Sequence, residues 1–277
     1  MNHQSSGKQP RAQKRKLNKV IFFDIDGTLV GNGTNKQKAI KKRIFELKKD
    51  GLILGINTNR PWLETKNIYK NFSFNGPVIC EDGSYYLLNS KARAIILSKA
   101  DPNLRHKTVR LIKHNKKLAN YKVIVGNNKK ILLDKKINNL IFITSSRRCT
   151  ASIYVRLFGI VNQKATRQVL SILKKELPNT RVEIVPRNGK IIISNSGVDK
   201  ISTLAYLAKK HFKSNQVIMI SNDENIKKNF SNISFCGIKD SSQTYKNKCS
   251  YISHKKGGHG LIDIINNDEQ ILMKRGK

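Results

Sequence analysis

The run KVIFFDI, residues 19–25, constrains this chain more than any other segment. Its apolar side chains are consecutive rather than alternating, the pattern of a parallel strand covered on both faces. The run ends in Asp24 and Asp26, one residue apart, and Gly27 follows at once. Two carboxylates at the mouth of a buried strand are desolvated and repel each other unless a cation or a substrate uses them.

The residues that follow extend the pattern. Residues 36–49 place Ile40, Ile44, Phe45 and Leu47 near helical spacing, and Gly51 supplies a stop. LILGIN (52–57) is a second apolar run, and NRPWLETKNIYKNF (59–72) reads as a second helix with Pro61 in its first turn. GPVICEDGSYYLL (76–88) gives a further strand with a turn at Asp82 and Gly83. Strand, helix, strand, helix, strand predicts an α/β fold, a Rossmann-like doubly wound parallel sheet.

Between residues 89 and 186 the pattern changes to short β-rich runs, AIILS, YKVIV, KILL, NLIFITS, ASIYVRLF and VEIVP. Two helical stretches, 103–117 and 163–176, lie among them, which predicts an inserted α+β domain. IIISN (191–195), a helix over 200–212 and the buried-type strand QVIMISND (216–223) return to the first pattern. SFCGI and SYISH then give short strands, and a helix from Leu261 closes the chain. The expected division is a basic tail over 1–18, a core domain over 19–88 and 187–277, and an insert over 89–186.

Net charge is +36, from 54 Lys and Arg against 18 Asp and Glu. Residues 1–19 hold six of the bases and no acid, so this stretch reads as a disordered basic tail and the remaining body stays strongly basic. Such a field gathers polyanions, either nucleic acid in a nonspecific, salt-dependent way or a small phosphorylated substrate. No apolar run approaches the roughly 20 residues of a membrane helix, which argues against a membrane-spanning body. Cys80, Cys149, Cys236 and Cys249 form no C-x-x-C pair, and no secretory signal precedes them. Reduced thiols and a cytoplasmic location are the expectation.

Ligands of an open parallel sheet bind beyond the carboxyl ends of its strands. Reactive groups stand at three of those ends: Asp24 and Asp26, then Thr58, then the polar cluster from Ser221 to Asn225. Lys200 begins the helix before the last of these strands. The set suits phosphoryl transfer. Asp24 is placed to attack phosphorus, Asp26 to move a proton, and Thr58 and Lys200 to hold phosphoryl oxygens, with Mg²⁺ offsetting the charge.

DIDGT after an apolar strand, Thr58 after a second strand and Lys200 before a later one resemble the haloacid dehalogenase superfamily of phosphatases. An insert between the second and third motifs resembles the large α/β cap of its Cof-like branch. FNGPVICEDGSYY and KKGGHGLIDII are similar to archaeal-type phosphoglycolate phosphatases and to sugar-phosphate phosphatases. The resemblance spans about residues 19–266. It implies Asp24 as nucleophile and Asp26 as acid/base, with the Asp24 carboxylate and the Asp26 carbonyl as Mg²⁺ ligands. It implies Thr58, Asn59, Lys200 and Asn225 around the phosphate, although the usual Thr-Gly-Arg reads here as Thr58, Asn59, Arg60.

The fourth motif departs from the family. Gly-Asp-x-x-Asn-Asp is replaced by Ser221, Asn222, Asp223, Glu224, Asn225 and Ile226. Asn222 keeps an oxygen donor but loses the charge, and Asp223 serves as a metal ligand only if the loop shifts by one residue. The leading expectation is therefore a Mg²⁺-dependent phosphatase acting on a small phosphorylated metabolite, phosphoglycolate or a sugar phosphate. The alternative is a catalytically weak relative serving as a basic RNA-associated scaffold. His106, His114 and His211 read as surface residues, His254 and His259 as loop residues, and Trp62 as helix packing.

Overall fold

The computed structural model describes residues 19–30, 34–185, 188–212, 217–222, 226, 230 and 232–267. The first part of the chain runs β1 (Val20–Phe23), α1 (Thr34–Lys49), β2 (Ile53–Asn57), α2 (Trp62–Asn71), β3 (Val78–Cys80), β4 (Tyr85–Leu87) and β5 (Ile95–Ile96). The insert follows as α3 (Leu104–His114), β6 (Lys122–Gly126), β7 (Asn139–Thr144), β8 (Ala151–Leu157), β9 (Ile160–Val161), α4 (Gln163–Glu176), β10 (Thr180–Val185) and β11 (Lys190–Asn195). The chain then returns through α5 (Lys200–His211), β12 (Val217–Ser221), β13 (Ile233–Gly237), α6 (Gln243–Lys246), β14 (Tyr251–Ile252) and α7 (Gly257–Asn266).

Eight strands form the first sheet in the order β14-β13-β12-β1-β2-β3-β4-β5. Pairing is parallel from β14 to β3 and antiparallel at β4 and β5. The consecutive apolar residues of β1 divide by strand alternation. Ile21 and Phe23 pack with Ile40, Ile44 and Leu47 of α1 and with Leu261, Ile264 and Ile265 of α7. Val20 and Phe22 pack on the other face with Ile201, Leu204 and Leu207 of α5. All four β1 side chains are fully buried, each stabilising by about 1.5–3 kcal/mol. This is the Rossmann-like doubly wound core with an inserted α+β domain.

The second sheet runs β10-β11-β8-β7-β6, with β9 on β8. Only β6 and β7 pair parallel among its strands. Helices α3 and α4 cover one face through Leu104, Ile112, Val169 and Leu173. The opposite face carries a smaller cluster of Leu132, Leu140, Phe142 and Tyr154.

Three local expectations need correction. KILL is a 3-10 turn over Lys129–Leu133, because the Asn128 side chain accepts from the Lys130 N–H at 3.1 Å and starts a turn. AIILS supplies β5, which pairs with β4 and so extends the first sheet. VICEDGSYYLL holds two strands rather than one: the chain turns at Asp82 and Gly83, as the sequence predicts, and β4 folds back antiparallel on left-handed backbone from Glu81 to Gly83. Sheet membership accordingly changes after Ile96 and after Asn195, not at 89 and 187. Lys190–Asn195 pairs with both β8 and β10, so it belongs to the second sheet.

Candidate active site

Asp24 lies one residue beyond β1, and its N–H donates to the Ile220 carbonyl at 2.9 Å, carrying the β1–β12 pairing to its limit. Lys200 is the first residue of α5. Its ammonium donates to Asp24 Oδ1 at 2.8 Å, and both side chains are buried. Asp199 fixes this helix start, because its Oδ1 accepts from the N–H groups of Ile201 and Ser202 at 3.0 and 2.8 Å. Asn57, at the end of β2, donates from Nδ2 to the Lys200 carbonyl at 3.2 Å. Burial raises the Asp24 carboxyl above its ordinary value, and the charge and hydrogen bond of Lys200 oppose that rise without cancelling it.

Asp26 is exposed and held in a two-pronged grip. Arg60 Nε donates to its Oδ2 at 3.0 Å and Nη2 to its Oδ1 at 2.5 Å. Partial burial disfavours its ionised form, but the hydrogen bonds and charge of Arg60 outweigh it, so Asp26 lies below the usual carboxylate range. Thr58 is fully buried, and its Oγ1 accepts from the Arg60 N–H at 3.2 Å. The hydroxyl thus orients the turn that carries Arg60.

Asn59 exposes its side chain and turns its carbonyl to Arg147 of the insert, whose Nη1 donates at 3.1 Å. Asn222, just past β12, lies against the DIDGT loop. A Cβ on Gly27, whose φ is +78°, would meet Asn222 Nδ2 at 2.2 Å, so only glycine admits this approach. Asp223 and Asn225 lie outside the described residues, and Ile226 is buried in the cluster with Ile201 and Leu204. The structure therefore brings Asp24, Asp26, Thr58, Lys200 and Asn222 to one mouth, beyond the carboxyl ends of β1, β2 and β12.

Sequence reasoning missed the contributions from the insert. Arg147, between β7 and β8, is buried and also donates from Nη1 to Thr150 Oγ1 at 2.8 Å. Lys190, which opens β11, is half-buried, and burial pushes its pKa down to about 8, helped by Arg147 and Lys129. Glu64 and Asp26 pull in the opposite sense, which places Lys190 within the field of the core acids. The adjacent arginines after the strand NLIFITS were the available signal for Arg147, and nothing local distinguishes Lys190. Glu81 was also missed; fully buried, it accepts from the N–H groups of Arg148, Cys149 and Thr150 at 2.6, 2.7 and 2.9 Å.

His106, His114, His211, His254 and His259 are exposed, and Trp62 packs edge-on against Tyr69 at 5.8 Å. No cysteine is bonded to another. Among the described residues no three His, Cys, Asp or Glu side chains cluster as a metal site, and no helix is long and apolar enough to cross a membrane.

Comparison with known proteins identifies the family and the fold. The family profile for haloacid dehalogenase-like hydrolases matches residues 21–265. A haloacid dehalogenase-like hydrolase from Bacteroides thetaiotaomicron superposes with a TM-score of 0.64 at 13% identity, covering 91% of this chain and 99% of its own. A HAD/COF-like hydrolase from Plasmodium vivax gives 0.62 at 17%, covering 94% and 98%. The sucrose-phosphatase from Synechocystis, solved with sucrose and phosphate, gives 0.55 at 9%, covering 91% and 98%. No curated protein sequence gives a significant match. These relatives support the Cof-like branch, and they support neither the narrower likeness to phosphoglycolate phosphatases nor an RNA-associated scaffold. The chain belongs to the haloacid dehalogenase-like hydrolases.

Proposed function

We propose that this hydrolase is a phosphatase that cleaves a small phosphorylated metabolite through an aspartyl-phosphate on Asp24. The observation that carries the reading is the buried Asp24–Lys200 pair at 2.8 Å, with Asp26 two residues on. A carboxylate held beside a buried ammonium is an oriented nucleophile, and the same ammonium is positioned to meet phosphoryl oxygens. A carboxylate oxygen of Asp24 attacks phosphorus, the bond to the leaving oxygen breaks, and Asp26 protonates that oxygen. Water then attacks the phosphorus of the acyl phosphate, Asp26 takes its proton, and inorganic phosphate leaves with Asp24 restored.

The Arg60 grip favours the carboxylate form of Asp26, which is the form that activates water. Proton donation in the first step requires the grip to open and Asp26 to take up a proton from solvent. A phosphoryl group entering the site offers Arg60 a competing anion, which frees Asp26 as the substrate arrives.

The donors at this mouth fit Mg²⁺. Asp24 is a buried carboxylate that one ammonium only partly offsets, and the Asp26 carbonyl and Asn222 amide add hard oxygens at the same loop. Asp24, Asp26 and Asn222 would hold the ion, with Asp223 a further candidate. When bound, Mg²⁺ supplies positive charge for the transferring phosphoryl group. The substrate class follows relatives described as sugar phosphatases, which suggests a sugar phosphate or a metabolite of similar size. The test is release of phosphate from an aryl phosphate and a panel of phosphorylated metabolites, with Mg²⁺ and with a chelator. Turnover that depends on metal and vanishes in Asp24→Asn supports the reading, and a panel with no turnover sinks it.

A further inference from the structure

The charge at the site mouth exceeds what one phosphate requires. In the core, Asp24 is matched by Lys200 and Asp26 by Arg60. The insert adds two more cations, Arg147 against the Asn59 carbonyl and Lys190 within the field of Asp26 and Glu64. Arg147 reaches the Asn59 carbonyl, next to Thr58, using Nη1 alone. No described residue accepts from its Nε or Nη2. Lys190 Nζ makes no hydrogen bond or ion pair with a described residue, although Asp26 and Glu64 lie within its field. Glu64 is itself engaged, its Oε1 accepting from Ser146 Oγ at 2.8 Å.

Lys190 also has a fixed direction. It stands opposite Tyr154 in the β11–β8 register, and cross-strand partners share a face. Tyr154 belongs to the small cluster on the face away from α3 and α4. The Lys190 side chain therefore leaves the sheet on its helix-free side, where the fields of Asp26, Glu64, Arg147 and Lys129 meet. A buried and a half-buried cation within each other's field repel, and an anion between them removes the repulsion.

We infer that Arg147 and Lys190 form a second anion subsite opposite Asp24 and Asp26, so that the substrate is a small phosphomonoester bearing a further carboxylate or phosphate. The inference deepens the phosphatase reading and rests on it for the position of the first phosphate. It also sets a size limit, since the second anion must reach the insert while the first remains at Asp24.

Calorimetry with non-hydrolysable probes tests the subsite without turnover. The probes are propylphosphonate, 3-phosphonopropionate and propane-1,3-diphosphonate, each titrated in excess Mg²⁺ into wild type, Arg147→Met and Lys190→Met. One or both doubly anionic probes are expected to bind wild type at least about tenfold tighter than propylphosphonate. The tighter of the two identifies the second group as carboxylate or phosphate. In each variant the ratio of doubly to singly anionic affinity should fall toward one. A purely structural role for Arg147 would lower both affinities together and leave the ratio unchanged. Equal binding of all probes by wild type, or a ratio that survives both substitutions, overturns the subsite. Should Arg147→Met fail to fold, Lys190→Met decides alone. Selective binding in a protein without aryl phosphatase turnover would overturn the phosphatase reading and leave the subsite standing.

Discussion

Glu81 Oε2 receives both the N–H and the hydroxyl of Thr150, each at 2.9 Å. The contact ties the end of β3 in the core to the β7–β8 loop of the cap, and Arg147 lies in that same loop. Asp82 adds an ion pair with Arg181 of β10. Glu81 and Asp82 both adopt left-handed backbone, with φ of 48° and 59°, a conformation costing about 1 kcal/mol or more per residue. The cap contacts offset that cost. Glu81→Ala leaves the buried N–H groups of Cys149 and Thr150, and the N–H of Arg148, without an acceptor, a loss of about 3–5 kcal/mol. Urea unfolding should report it, and a variant within 1 kcal/mol or so of wild type would contradict the clamp.

The Asp26–Arg60 pair gives a second prediction, with a definite sign. The folded pKa of Asp26 lies below its ordinary value of 3.8, so the pair stabilises above that value and its contribution fades as pH falls through the folded one. The pair is exposed, which limits the effect to under about 1 kcal/mol. Wild type should melt slightly above Asp26→Asn at pH 6, with the gap closing below pH 4 or so. A gap that widens in acid contradicts the pairing.

Lys190 behaves in the opposite sense. Its pKa falls from 10.5 to about 8 in the folded chain, so the ammonium form is penalised by folding. The penalty is full below about 8 and disappears above the unfolded value. Lys190→Met should therefore raise stability near pH 7, by no more than about 1 kcal/mol after solvent screening. The gain should shrink between pH 8 and 10.5. Thermal melts across that range check it, and a gain independent of pH would assign the effect to packing instead.

Asn222 supplies a test of the altered fourth motif. Its amide lies against Gly27, beside the acids of the DIDGT loop. Asn222→Asp restores a charge that Mg²⁺ favours over a neutral amide. The Mg²⁺ concentration giving half-maximal turnover should drop by about tenfold, a change worth roughly 1.4 kcal/mol. An unchanged metal requirement would remove Asn222 from the ligand set.

Local patterns made much of this molecule legible. The consecutive apolar run of β1 announced a strand covered on both faces, and its burial on both sides follows from that run. The positions of Asp24 and Thr58 just past strands and of Lys200 at a helix start were legible because strand ends and helix starts have local signatures. The cap residues had none. Lys190 is one of 54 bases, and its direction out of the second sheet depends on its register against Tyr154, far away in the chain. KILL failed for a related reason: an Asn before an apolar run caps a turn as readily as it precedes a strand. Glu81 was visible as a scarce acid in a basic chain, but its partners lie some seventy residues onward.

The register that sets Val20 beside Val217 has a consequence for the nascent chain. β1 leaves the ribosome early, yet its neighbour β12 is made only after the whole cap. The cap sheet closes within its own segment, from β6 to β11, and has every partner it needs before α5 appears. Domains form as units when their contacts are complete, and long loops delay the contacts that close them. Synthesis therefore presents a finished cap above an unfinished core, with Asp24 waiting for the carbonyl of Ile220 before the two halves of its site can meet.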